Sequence, residues 1–211
     1  MTRRTFIEML RRQVYGGFPV DEADITDNLI NLWINQGIAV AAKNNYKENI
    51  QLEGIGFVNN SFYSTFKGLT VTKDEQFLYK FTLPQIPLSI GNTEGISRIL
   101  FKDSNSNISY PAVLLSENQV GYYRSMRVIP NKVLAYPEGE FCFVITTIIM
   151  TDYTATVTLI SGGDSTNLNS TLNLPDDSLP IVVSYIQQQL LLERNQPVDA
   201  SNDGQPAVKT T

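Results

Sequence analysis

This chain of 211 residues has no histidine. The usual near-neutral general base is therefore missing, together with the commonest transition-metal ligand. Ser-His-Asp and Cys-His nucleophile systems cannot be built from the chain alone, and histidine-containing zinc sites are excluded. Cysteine is almost as scarce. The single Cys142 can form neither an intrachain disulfide nor a four-cysteine metal site. It lies in the apolar run Phe141-Cys142-Phe143-Val144-Ile145, which reads as a small buried residue rather than a nucleophile. Long apolar runs are lacking too, and nothing approaches the roughly 18 residues of a membrane span. After Met1-Thr2-Arg3-Arg4-Thr5-Phe6 no apolar stretch follows the arginines, so the expectation is a chain without a secretion signal, folded in a cytosol. Asn-x-Ser/Thr triplets at Asn59, Asn107 and Asn169 then carry no weight.

What is present suits a packed core: 42% of residues are apolar and only 18% charged. The net charge of -5 argues against general nucleic-acid binding, while leaving room for a local basic patch.

Helical periodicity dominates the first 48 residues. Thr5-Phe6-Ile7-Glu8 has the form of a capping box, with Phe6, Leu10 and Val14 on one face and Gly16-Gly17 and Pro19 as stops. A second helix is expected behind Asp21, Glu22, Asp24 and Asp27, whose charges suit a helix N-terminus. Its apolar stripes are Ile25, Leu29, Leu32, Trp33 and Val40, and beside them Ile30, Ile34, Ile38 and Ala41. Two stripes predict burial on more than one side, with an end near Asn44-Asn45.

From about Gln51 to Ser161 the signals are those of strands. Phe77, Tyr79, Phe81 and Leu83 alternate with Leu78, Lys80 and Thr82, and Pro84 ends the run. Ile96–Phe101 and Ile108–Leu115 flank a polar loop, and Val133–Tyr136 and Phe141–Thr147 flank a turn at Pro137-Glu138-Gly139. The clearest strand is Tyr153–Leu159, with Ala155, Val157 and Leu159 inward and Thr154, Thr156 and Thr158 outward. Gly162-Gly163-Asp164 closes it, and Ser116 can cap a short helix. A last helix follows Asp176-Asp177, with Pro180 in its first turn, a stripe of Leu179, Val183, Ile186 and Leu190, and Pro197 as its end. The fold class expected is α+β. Residues 1–48 and 174–195 form a helical base, 49–173 form an inserted antiparallel β sandwich or barrel-like domain, and 196–211 form an extended tail. That tail contains no Leu, Ile, Phe, Tyr or Trp, so its order is expected to come from a partner.

Candidate chemistry is thin. Gly54-Ile55-Gly56 lacks the third glycine of a dinucleotide fingerprint, and no Gly-Lys-Ser/Thr phosphate loop exists. Asp199, Ser201, Asp203 and Gly204 resemble the start of a calcium loop, but Thr210 stands where the bidentate glutamate belongs. No metal or cofactor is expected. Carboxylate pairs occur at Asp74-Glu75 and Asp176-Asp177, where a turn and a helix cap explain them without a glycosidase mechanism. Arg4, Arg11 and Arg12 make a basic helix face, either solvated or in contact with an acidic partner or passing DNA. Tyr122, Tyr123 and Tyr153 suit core, subunit interface or a sugar platform.

The stretches Phe6-Ile7-Glu8-Met9-Leu10-Arg11-Arg12-Gln13-Val14-Tyr15-Gly16-Gly17, Ile50-Gln51-Leu52-Glu53-Gly54-Ile55-Gly56-Phe57-Val58-Asn59-Asn60-Ser61-Phe62-Tyr63, Met126-Arg127-Val128-Ile129-Pro130-Asn131-Lys132-Val133-Leu134 and Gln196-Pro197-Val198-Asp199-Ala200-Ser201-Asn202-Asp203-Gly204 resemble a virion protein of crAss-like bacteriophages, and the likeness spans nearly the whole chain. None carries a catalytic signature. The resemblance implies a component of the portal vertex, made in the host bacterial cytoplasm and assembled into the neck of the virion. The layout also looks like the head–tail adaptors of short-tailed phages, in which a helical base carries a β insertion and a C-terminal extension grips the portal. By that analogy the chain forms a cyclic homo-oligomer, a dodecamer, with the portal protein and adjacent tail rings as partners and genomic DNA passing nearby. Pro197, Val198, Asp199, Asn202 and Asp203, with Arg4, Arg11 and Arg12, are the expected partner-contacting residues. The alternative is a β-rich glycan-binding module of a phage tail.

Overall fold

The computed structural model describes residues 1–14, 26–90, 95–104, 108–126 and 132–194. It is an α+β fold, with helices at both ends of the described chain and a mixed eight-stranded sheet, curled into a half-barrel, between them.

The first helix, α1, runs Arg3–Val14. It starts two residues before the expected Thr5 cap, because Thr2 does the capping: its Oγ1 accepts from Thr5 N at 3.2 Å. Phe6, Ile7 and Leu10 are buried along its inner face. The second helix, α2, runs Asp27–Glu53, about 40 Å of rod. Thr26 caps it by accepting from Leu29 N; Asp21, Glu22, Asp24 and Ile25 lie outside the described residues. It does not stop at Asn44-Asn45. It continues to Gly54, whose φ of 73° is the left-handed geometry that ends helices and favours glycine. Both apolar stripes reach the core: Ile30, Ile34, Ile38 and Ala41 are buried in one, and in the other Trp33 is buried and Leu29 packs against the core, while Leu32 is 51% exposed. Both α1 and α4 (Leu179–Arg194) pack against it. A 3-10 turn, Asp176–Ser178, leads into α4 in place of an aspartate side-chain cap.

The strands are β1 Tyr63–Thr70, β2 Thr72–Glu75, β3 Leu78–Thr82, β4 Ile96–Asp103, β5 Ser109–Leu114, β6 Val133–Glu138, β7 Phe141–Ile145 and β8 Tyr153–Ile160. Their order in the sheet is β1-β8-β4-β5-β6-β7-β3-β2. The half-barrel agrees with the barrel-like form of the expected domain rather than with a sandwich, and it departs from a purely antiparallel sheet at one place, where β5 and β6 pair in parallel. The reason is the helix α3, Glu117–Ser125, which lies between those strands in the chain. A crossover of that kind returns the chain in the same direction, which a hairpin cannot do. The β6–β7 turn is also tighter than expected: Pro137 and Glu138 still pair, with Cys142 and Phe141, which leaves Gly139-Glu140 as the turn. The two edge strands β1 and β2 are consecutive in the chain and separated only by buried Val71. The chain thus links both edges of the sheet, and curling follows from that linkage.

Inside the curl, Phe81, Ile99, Phe101, Val144, Val157 and Leu159 form a dry core with Met150 and Cys142. The inward and outward alternation expected for β8 holds, with Ala155, Val157 and Leu159 fully buried. On the outer face, Leu78, Leu134, Tyr136 and Ile145 form a smaller cluster under Val120 and Tyr123 of α3. The base has its own core of Phe6, Leu10, Ile34, Trp33, Val182 and Ile186. The two cores meet at the end of β8, where Leu159 points into the sheet cluster and Ile160 into the base.

Candidate functional site

The most developed polar arrangement lies in the base, around Arg3. This side chain has no solvent exposure. Its Nη1 donates to Asn31 Oδ1 at 2.6 Å and its Nη2 to Asn35 Oδ1 at 2.8 Å. Asn31 and Asn35 are one helical turn apart on α2, so both carbonyls face the same way. Asn31 Nδ2 in turn donates to Ser165 O at 2.8 Å. The backbone joins in: Arg3 N donates to Ser170 O, Arg4 N to Leu168 O and Leu172 N to Met1 O, and Thr2 bridges Thr171. One buried cation therefore ties α1, α2 and the segment after β8 together.

Gly162 makes room for it. A Cβ on Gly162 would collide with Ile38 and come within 2.9 Å of Arg3 Nη2. Gly163 has φ 91° and would place a Cβ against Thr171 O. Burial lowers the Arg3 pKa from its usual value, and the charge of Asp164 works in the opposite direction. The Asp164 carboxyl is held below the ordinary range, chiefly by the Thr166 hydroxyl and N–H. Among the described residues Arg3 Nε has no hydrogen-bond partner. The arrangement can hold helices together. It presents no reactive pair to solvent.

The basic face expected on α1 is split. Arg4 and Arg12 are exposed, while Arg11 pairs with Asp27 of α2 at 2.8 Å. A cavity of about 210 Å³ between the helices is lined by Arg4, Ile7, Glu8, Arg11, Asp27 and Leu168. Its two arginines face two carboxylates, so its net field is small. Pro197, Val198, Asp199, Asn202 and Asp203 lie outside the described residues, as do Ser201, Gly204 and Thr210.

The carboxylate pairs stand apart from one another. Asp74 is on edge strand β2, 2.6 Å from Lys80 Nζ. Asp177 sits in the 3-10 turn before α4 and accepts from Ser178 Oγ at 3.2 Å. Among the described residues no group of three or more His, Cys, Asp or Glu side chains is placed to hold a metal ion. No helix there is long and apolar enough to cross a membrane. Burial pushes the Cys142 thiol up to about 12.

The tyrosines do not form one platform. Tyr122 and Tyr123 stack edge-on in α3, whereas Tyr153 leans on Tyr110 at 6.0 Å beside the inner sheet core. A different aromatic group lies on the outer face. Tyr136 and Phe143 stack with an interplanar angle of 16°, and the Arg124 guanidinium lies 5.4 Å from the first ring and 5.8 Å from the second. That cation occupies the ring faces a sugar would use.

Sequence reasoning alone did not single out Arg3. A signal was available: Arg3 falls three, four and seven residues before Phe6, Ile7 and Leu10, and so lies in the apolar stripe itself. It also missed the far end of α2. There Asn49 Nδ2 donates to Phe57 O at 2.9 Å and Asn45 Oδ1 accepts from Asn59 N at 3.0 Å, so the following loop folds back on the helix.

No protein-family model matches the chain, and nothing among the curated proteins matches it.

Proposed function

We propose that this chain is a non-enzymatic structural subunit of an oligomeric ring at the portal vertex of a short-tailed phage, joining the capsid portal to the tail. The four stretches that resemble a crAss-like phage virion protein support this reading. The observation that carries it in three dimensions is the division of labour in the base. The fully buried Arg3 is committed to Asn31 and Asn35, while Leu32, Ile50, Leu52, Leu191 and Leu192 of α2 and α4 stand in solvent. Scaffolding subunits carry such apolar surface for their neighbours to cover. The ring would be cyclic, twelve-fold by analogy with adaptors, and genomic DNA would pass through it without sequence-specific contact. The tail from Gln196 would lie on the portal or the next ring, each weak contact multiplied around the ring.

The test is reconstitution with the purified portal ring. The full chain is expected to join it, and a chain truncated after Gln196 to remain folded but fail to join. If the full chain does not associate with the portal, the reading is wrong. If the truncated chain joins as well as the full one, the tail is not the grip. The rival reading, a glycan-binding module of a phage tail, expects the chain to bind sugars on a glycan array as a monomer or trimer.

A further inference from the structure

The last turns of α2 and the loop that follows are tied to the base core through Tyr46 and Val58, yet most of their apolar side chains are left exposed. The last fully buried residue of the helix is Ala42, yet the helix runs on to Glu53. Beyond it Ile50 is 43% exposed, Leu52 83%, Ile55 66% and Phe57 42%. In the ten residues from Asn49 to Val58 the only charge is Glu53.

This end is built to keep its shape. Gly54 N donates to Ile50 O at 2.9 Å in a left-handed cap. Asn49 and Asn45 hold the loop at Phe57 and Asn59. The Tyr46 phenol packs over Gly56, where a Cβ would force the ring to move. The apolar side chains are therefore presented by fixed backbone, and little ordering entropy would be lost on binding.

We infer that the tip of α2, formed by Ile50, Leu52, Ile55 and Phe57, is the surface by which one copy of this chain packs on the helical base of the next. This rests on the ring reading and names its interface. Separate apolar sites on the same helices argue for a second copy. The four tip side chains expose roughly 400–500 Å², about half of one partner's share of a stable interface, so further surface must contribute. Elsewhere on the helices Leu32 of α2 and Leu191 and Leu192 of α4 are 51%, 60% and 61% exposed. Leu32 and Leu52 are separated by about 30 Å along the rod at 1.5 Å per residue, so they belong to different patches. Two different apolar patches on one chain are what head-to-tail association into a ring requires.

The competing occupants fit less well. The β2 edge is exposed along its length but reads Thr72-Lys73-Asp74-Glu75, and charges on an edge oppose strand addition. Around the tip Lys47, Glu48 and Glu53 mix the two signs, without the basic rim that draws a helix to an anionic membrane.

The experiment is sedimentation velocity on the full chain over a concentration series. Three proteins are compared: the native chain, Leu52→Asp/Ile55→Asp, and Ile149→Asp as a control at a 74%-exposed position in the β region. The native chain and the control are expected to self-associate alike. The tip variant is expected to weaken association at least tenfold, with an unchanged far-UV spectrum and melting temperature. If the native chain associates and the tip variant matches it, the tip proposal fails and the ring reading stands. Equal weakening by Ile149→Asp also overturns the tip. A native chain that stays monomeric to its solubility limit, or that instead floats with anionic vesicles, overturns both.

Discussion

The two halves of this molecule solve the burial problem differently. The sheet half closes on itself. Its two edges are linked through Val71, its interior is aliphatic and aromatic, and its one thiol is buried. The helical base encloses a charged side chain and leaves Leu32, Leu52, Leu191 and Leu192 in water. The β half exposes large apolar side chains too, among them Phe77, Val113 and Ile149, so the contrast lies in the cores: an apolar one inside the sheet, and one built round a hydrogen-bonded cation in the base. On the ring reading proposed above, the apolar rim of the base is the part that neighbouring copies would cover.

The comparison is easiest to break with core substitutions. Phe101 is fully buried and meets Phe81 edge-on at 5.9 Å. Phe101→Ala is expected to cost about 3–5 kcal/mol, read by urea denaturation, and to loosen the sheet first. A loss under about 1 kcal/mol would mean that the curl is not close-packed.

Arg3→Met tests the other half. It removes two charged hydrogen bonds and strands the Asn31 and Asn35 carbonyls, so a loss of about 2–4 kcal/mol is expected. Amide exchange should accelerate in α1 and α2 while the centre of β8 stays protected. Uniform acceleration across both halves would show that they unfold as one unit and that the division is false.

Alkaline pH sharpens the contrast. The Cys142 thiol is raised from 9.0 to about 12 in the fold, so the unfolded chain loses its proton first. Above pH 9 the unfolded state binds fewer protons than the native state, and stability therefore falls as pH rises from about 9 towards 12. Cys142→Ala should flatten that part of the profile, and the native thiol should resist alkylation at pH 8. Rapid labelling of the native protein at that pH would contradict the buried setting.

The smallest effect belongs to the surface. The Arg11–Asp27 pair is 34% and 48% exposed. Arg11→Ala should change stability by no more than about 1 kcal/mol and less in high salt. A larger loss would make α1 a second polar lock alongside Arg3.

Local patterns made much of this legible from the residues alone. The alternation of Ala155, Val157 and Leu159, the hairpin around Gly139 and the run from Ile30 to Ala41 are local signals; the structure buries Ala155, Val157, Leu159, Ile30 and Ala41 and pairs β6 with β7 across the exposed Gly139 turn. What was illegible depended on distant partners. Asn45 looked like a helix stop, yet its side chain is engaged by Asn59, and the helix stops only where Gly54 can turn left-handed. The parallel β5–β6 pair required knowing that α3 returns over the outer face. Arg3 resembles any surface arginine until Asn31 and Asn35, twenty-eight and thirty-two residues later, are brought against it.

The central claim is that this chain works by occupying a place among other subunits. Cryo-electron microscopy of intact particles that carry it tests this most directly. The account predicts a closed ring of this fold at the portal vertex, with the α2 tip of each copy seated on the next. Density for the chain at a fibre tip, or its absence from the particle, would contradict it.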